Sequence, residues 1–218
     1  MTPNSLKTRC VNVIRKVVMG AGLLLTVASL LSPTWWVADA SGFNRRSAEV
    51  DNSLFVNEQK LTASDGVTNQ QFGQAITISG STIVVGAPFD TISGNAFQGS
   101  TYIFNRQGGS WAETQKLIAS DGAESRLFGS SVALSGSSIV VGSPLATIGG
   151  NFAQGAAYVL NRQGGSWAET QKLTASDGAA GDFFGSSVAS SGSTIVVAAP
   201  FATVGGNLSE GSAYVFGP

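Results

Sequence analysis

A 56-residue period governs this chain. Phe72-Gly73, Phe128-Gly129 and Phe184-Gly185 stand 56 apart, as do Pro88, Pro144 and Pro200, and Tyr102, Tyr158 and Tyr214. The thirteen residues from Asn105 to Leu117 recur letter for letter from Asn161 to Leu173, so one duplicated unit is written three times in register. A unit of this size cannot bury its own apolar side, and stacking on a neighbouring copy is the general solution. Three equivalent structures packed in series are therefore expected.

Within a unit the pattern predicts four short strands separated by Gly, Ser, Asn or Asp. The first runs over residues 73–79, where Ile76 and Ile78 alternate with Thr77 and Ser79. The second, residues 82–87 (TIVVGA), is continuously apolar and β-branched, as a strand covered on both faces must be, and it stops at Pro88. A third over 99–105 places Tyr102 and Phe104 on one side, and a fourth over 111–119 carries Glu113 and Lys116, which suit an exposed edge. The fold class read from this is all-β, with four-stranded antiparallel units repeating as propeller-type blades.

The quoted residues resemble the FG-GAP repeat of integrin-alpha-type β-propellers, in the version found in exported bacterial proteins. The first unit reads FG (Phe72-Gly73), then IVVGAP from Ile83 to Pro88 with Gly86 inside it; the second has Phe128-Gly129, Gly142 and Pro144; the third has Phe184-Gly185 and IVVAAP ending at Pro200. The resemblance implies a propeller module for binding or adhesion. It also implies calcium in an acidic loop between the FG and GAP strands. Here that place holds only Ser79-Gly80-Ser81 and its two copies. Calcium takes 6–8 oxygen ligands, so no metal and no cofactor are expected.

The strand tally raises a question of closure. Residues 54–64 align with a fourth strand, Phe55 standing for Trp111 and Trp167, and the last unit stops after its third strand. Read this way, 54–64 is a lone outer strand, 65–120 blade one, 121–176 blade two and 177–218 blade three without its outer strand. Propellers have 4–8 blades, so a monomeric closed ring of three is not expected. Either chains assemble to complete the ring, or these are blades of a longer propeller, or open edges remain.

Ahead of the repeats, Lys7, Arg9, Arg15 and Lys16 precede an apolar run from Val17 to Leu31, then Pro33 and Ala38-Asp39-Ala40. This is the layout of a secretory signal peptide, residues 1–40, with a linker over 41–53. An uncleaved anchor is the rival reading, and only then does the chain meet a membrane. Cleavage removes the single Cys10 and leaves eight basic against twelve acidic residues. The expected location is secreted, periplasmic or cell-surface.

Composition narrows the chemistry. With no His in the chain and no Cys after the signal, Ser-His and Cys-His nucleophile pairs have no members, and a Ser-Lys pair would need Lys60, Lys116 or Lys172 on outer strands. A net charge of −1 gives no footprint for nucleic acid. Asp65, Asp121 and Asp177 each precede Gly and read as turn formers, the sharper alternative being a ring of carboxylates for metal or sugar. Trp111 and Trp167 read as packing between blades, or as stacking platforms for carbohydrate.

The loops after the GAP strands are the candidate ligand surface, because loops on a rigid scaffold carry most binding sites. They contain Thr91, Thr147 and Thr203, with Asn95, Asn151 and Asn207, beside Phe97, Phe152 and Leu208. The asparagines read equally as turn formers. The function expected is non-enzymatic recognition of a protein or glycan outside the cell. The competing readings are a propeller enzyme acting on polysaccharide through Glu124 or Asp182, and a remnant of a longer propeller protein.

Overall fold

The computed structural model describes residues 57–218. The predicted signal peptide and linker and residues 54–56 lie outside the described residues. Eleven strands form three antiparallel sheets. The first holds β1 (Ala75–Ser79), β2 (Thr82–Ala87), β3 (Ser100–Gln107) and β4 (Ser110–Leu117) in that order. The second holds β5 (Ser131–Ser135), β6 (Ser138–Ser143), β7 (Ala156–Gln163) and β8 (Ser166–Leu173), and the third β9 (Ser187–Ser191), β10 (Thr194–Ala199) and β11 (Ser212–Phe216). No helix occurs among the described residues.

The registers repeat as the sequence does. Ile78 faces Ile83, Val85 faces Tyr102 and Ile103 faces Gln115; fifty-six residues on, Leu134 faces Ile139, Val141 faces Tyr158 and Val159 faces Gln171. A bulge interrupts the third and fourth strands at the same place in both complete blades, between Ile103 and Phe104 and between Val159 and Leu160. Such a bulge bends and twists the outer strand.

Two-sided burial of the second strand explains its unbroken apolar run. On β2 and β6 one set of side chains packs toward the preceding neighbour and the other toward the next. Val84 and Ile103 of blade one join Phe128, Ile139, Val141, Tyr158 and Leu160 of blade two in one cluster. Val140 and Val159 of blade two join Phe184 and Val197 of blade three in the next. The inner strands β1, β5 and β9 lie side by side in series. This is blade-on-blade stacking about inner strands, as in a propeller.

The FG and GAP residues join the first two strands within a blade and bring neighbouring blades into close backbone contact. Gly73 donates its amide to the Gly86 carbonyl at 3.0 Å, Gly129 to Gly142 at 3.1 Å and Gly185 to Ala198 at 3.0 Å. On the far side, a Cβ on Gly86 would overlap the carbonyl oxygen of Gly129 in the next blade, and one on Gly142 that of Gly185. Glycine is required at 86 and 142 because a neighbour's backbone fills the space. Phe128 and Phe184 are fully buried edge-on to Tyr158 and Tyr214, with centroids 5.4 Å apart. Phe72 makes the same contact with Tyr102 but is only half-buried, with no blade before it among the described residues. Pro88 and Pro144 are buried and Pro200 is exposed.

Two expectations need correction. Residues 57–64, the described part of the predicted lone outer strand, join no ladder, and no third strand pairs with them among the described residues. The fourth strands are not bare charged edges either. Glu113 accepts the Ser64 amide and hydroxyl at 2.9 and 2.8 Å, and Glu169 does the same for Ser120. These charges clamp each outer strand to the link that precedes its blade.

Candidate functional site

Two repeated surfaces qualify, the loops after the second strands and a polar junction at the outer side of each blade. Each loop turns on a pair of reciprocal backbone bonds, Ile92 with Asn95, Ile148 with Asn151 and Val204 with Asn207. The asparagine amide then donates to Gln98, Gln154 or Glu210 at 3.0, 3.0 and 2.8 Å. The side-chain amides of Asn95, Asn151 and Asn207 are thus engaged in holding the turn. Thr91 and Thr203 are exposed and Thr147 is half-buried.

The first two loops are sewn to the following blade. Ser125 and Leu127 donate their amides to Ala96 and Phe97 at 2.8 and 3.1 Å, and Gly181 and Phe183 donate to Phe152 and Ala153 at 3.0 Å each. Phe97, Ala153 and Ser209 sit in the left-handed region, at φ of 53–56°, a conformation uncommon outside glycine. What this rigid backbone presents is apolar. Phe152 is 64% exposed and Leu208 84%, while Phe97 lies edge-on to Phe89 at 5.5 Å. Phe201, half exposed and edge-on to Phe183 at 5.1 Å, extends the set. It follows Pro200 as Phe89 follows Pro88, which was the available sequence signal.

The outer junction is built from Asp65, Tyr102 and Lys116. Lys116 meets Asp65 at 2.6 Å, and the Tyr102 hydroxyl donates to the other oxygen of that carboxylate at 2.7 Å. Lys172, Asp121 and Tyr158 repeat this at 2.6 and 2.7 Å, and in blade three Tyr214 donates to Asp177 at 2.9 Å. The aspartates therefore do more than form turns: in the two complete blades each carboxylate is paired with a lysine. Among the described residues no group of three or more His, Cys, Asp or Glu side chains gathers.

The electrostatics follow from these contacts. The hydrogen bond from Lys116 holds the Asp65 carboxyl below its usual range despite partial burial. At Asp121 burial opposes the same shift, and the bonds from Lys172 and Tyr158 outweigh it. Burial, reinforced by Asp65, pushes the Tyr102 hydroxyl up to about 12. For Lys116 burial works downward, but Asp65 and Asp90 prevail and raise it.

Blade one has an addition that the others lack. Asp90, 2% exposed, accepts Ser100 at 2.6 Å, lies 3.2 Å from the Tyr102 hydroxyl and meets Lys116 at 2.7 Å, and the Gln70 amide also reaches the Tyr102 hydroxyl. Ala146 and Ala202 stand at the corresponding positions. A lysine held protonated between two carboxylates is the reverse of a general base. Of the acids considered above, Asp182 is buried with its carboxylate bonded to the Ala179 amide at 2.7 Å, and Glu124 is exposed. Trp167 is buried in the first inter-blade cluster.

Fold and surface together define a repeat module of the β-propeller type. The FG-GAP repeat matches the chain at residues 55–104, 111–160 and 167–216. The chain belongs to the FG-GAP repeat family. No curated protein matches it.

Proposed function

We propose that this chain is an exported, non-enzymatic binding module that recognises a protein or glycan through the loops following β2, β6 and β10. The observation that carries the reading is the set of exposed apolar side chains, Phe97, Phe152, Phe201 and Leu208, on loops whose asparagine amides are engaged in holding the turns. Rigid display of large apolar groups serves recognition, since little entropy is lost on contact. Large apolar groups exposed together mark interaction surfaces. Export is supported by the basic and apolar pattern of residues 1–40.

The test is binding of the protein to a printed glycan array and to immobilised cell-surface proteins, with Phe152→Ser combined with Leu208→Ser as the comparison. Loss of a saturable signal in the variant, at unchanged melting temperature, supports the reading. A signal that the variant retains in full, or turnover of a polysaccharide by the wild type, refutes it.

A further inference from the structure

The three blades are not completed alike. Lysine joins aspartate and tyrosine at the outer junction of blades one and two, but in blade three Asp177 and Tyr214 face no lysine among the described residues, since β11 carries no fourth strand there. Asp182, buried nearby, adds a second negative charge to the surroundings of Tyr214. At the other end stands the missing group. Lys60 occupies the repeat position of Lys116 and Lys172 and meets no carboxylate among the described residues.

Its segment is already seated as a fourth strand without a sheet. The Gln59 amide donates to the Trp111 carbonyl and accepts the Trp111 N–H, both at 2.7 Å; Gln115 treats Trp167 the same way at 2.7 and 2.8 Å. Ser64 on Glu113 and Ser120 on Glu169 repeat the correspondence. Blade one thus carries on its front a segment placed as an outer strand with no sheet of its own among the described residues, while blade three offers three strands with no outer one among them.

The apolar surfaces match in the same sense. On the front of blade one, Ile76 and Ile78 are 71% and 61% exposed, where Val132 and Leu134 pack on the first inter-blade cluster. With Leu61, Phe72, Ile83 and Val85 they line a groove of about 380 Å³. On the back of blade three Val215 is 70% exposed, where Ile103 and Val159 are 0% and 6%. Each open face is one half of an interface that is complete twice inside the chain.

We infer that two copies of this chain close on each other head to tail, residues 58–61 of each pairing antiparallel with β11 of the other so that Lys60 meets Asp177. The register is that of the complete blades: Gln59 faces Val215 as Gln115 faces Ile103, Lys60 faces Tyr214 as Lys116 faces Tyr102, and Leu61 faces Ala213 as Leu117 faces Thr101. Two copies supply six blades, within the range in which propellers close, and a two-fold axis makes the two junctions identical. Ala198 stands where Gly86 and Gly142 admit a neighbouring carbonyl. Its methyl group makes the junction between copies wider at the inner strands than those within a copy, and the added outer strand holds it.

Light scattering on the chain as recovered from expressing cells, at micromolar concentration, is expected to give the mass of two copies. Lys60→Glu and Asp177→Lys each set like charges against one another at both junctions and weaken association by about tenfold or more. Mixing these two variants places opposite charges at both junctions and restores the two-copy species, which also controls for misfolding of either one. Ala198→Gly tightens association several-fold. A wild-type monomer, an assembly larger than two copies, or a two-copy species indifferent to both charge reversals overturns the inference, as does failure of the mixture to recover.

Discussion

Gly86→Ala probes the blade junction with a single methyl group. The backbone at Gly86 lies outside the left-handed region, so alanine is conformationally acceptable and the cost is purely spatial. The new Cβ would overlap the Gly129 carbonyl oxygen and also crowd its carbon, at 3.0 Å. That obstacle is backbone, held by the Gly129 to Gly142 bond at 3.1 Å, so it cannot swing aside as a side chain would. Relief requires blades one and two to part by about an ångström, loosening the cluster around Val84, Ile103 and Phe128. Overpacking of a rigid core costs about 1–3 kcal/mol, and the absence of a flexible neighbour places this substitution near 3 kcal/mol on the same scale. For a domain of this size that corresponds to a melting temperature lower by roughly 6–12 °C. Differential scanning calorimetry measures it directly. Natural Ala198 occupies the same position of blade three, where no following blade of the same chain packs. A Gly86→Ala protein melting within a degree of the wild type would refute the close approach on which the stacking rests.

Phe128→Ala is expected to cost about 3–5 kcal/mol because Phe128 is fully enclosed between two blades, while Phe72→Ala, at the open end, costs visibly less; equal losses in urea titration contradict that asymmetry. Alkaline pH is destabilising. A tyrosine whose folded value is raised to about 12 favours folding in its neutral form, so its contribution is whole below the unfolded value near 10 and is lost as pH rises to about 12, to the extent of about 2–3 kcal/mol. Lys116, also raised, acts in the same direction, and Tyr102→Phe should flatten the stability profile over that interval. At the acid end the sign reverses: Asp65 and Asp121, held low, contribute above the unfolded carboxyl value near 4 and lose that contribution as pH falls. Because both are about half exposed, the acid effect is the smaller.

Much of the fold is written in the period. Identical residues 56 apart must meet identical surroundings if each blade covers the next, and the unbroken IVVGA run can only be a strand buried on both sides. The burial of Phe128 and Phe184 follows from the same reasoning, whereas the need for glycine at 86 and 142 shows only once the next blade's carbonyl is in place, since the third repeat has Ala198 there. The departures occur where the array stops. Residues 57–64 carry the letters of an outer strand but have no partner strand among the described residues, and a ladder is a property of two segments, not one. The Asp65, Tyr102 and Lys116 junction escaped sequence reasoning because its members are 14 to 51 residues apart, and an Asp-Gly pair already has a sufficient local explanation as a turn. The shared period of the three residues was the signal that tied them together. In the loops, the asparagines proved to be turn braces, while the exposed Phe201 lay outside the recurring pattern because the second repeat has Leu145 at that position.

Amide hydrogen exchange resolved by residue tests the stacked-blade account most directly. The account predicts slow exchange at β2 and β6 alike, with matching protection at Val84 and Val140 and at Val85 and Val141. For a single copy it predicts intermediate protection at Val196 on β10, which no following blade covers among the described residues, and association of a second copy raises that protection toward the level of Val84. Protection that does not recur at a spacing of 56 residues, or that is strongest outside the second strands, contradicts it.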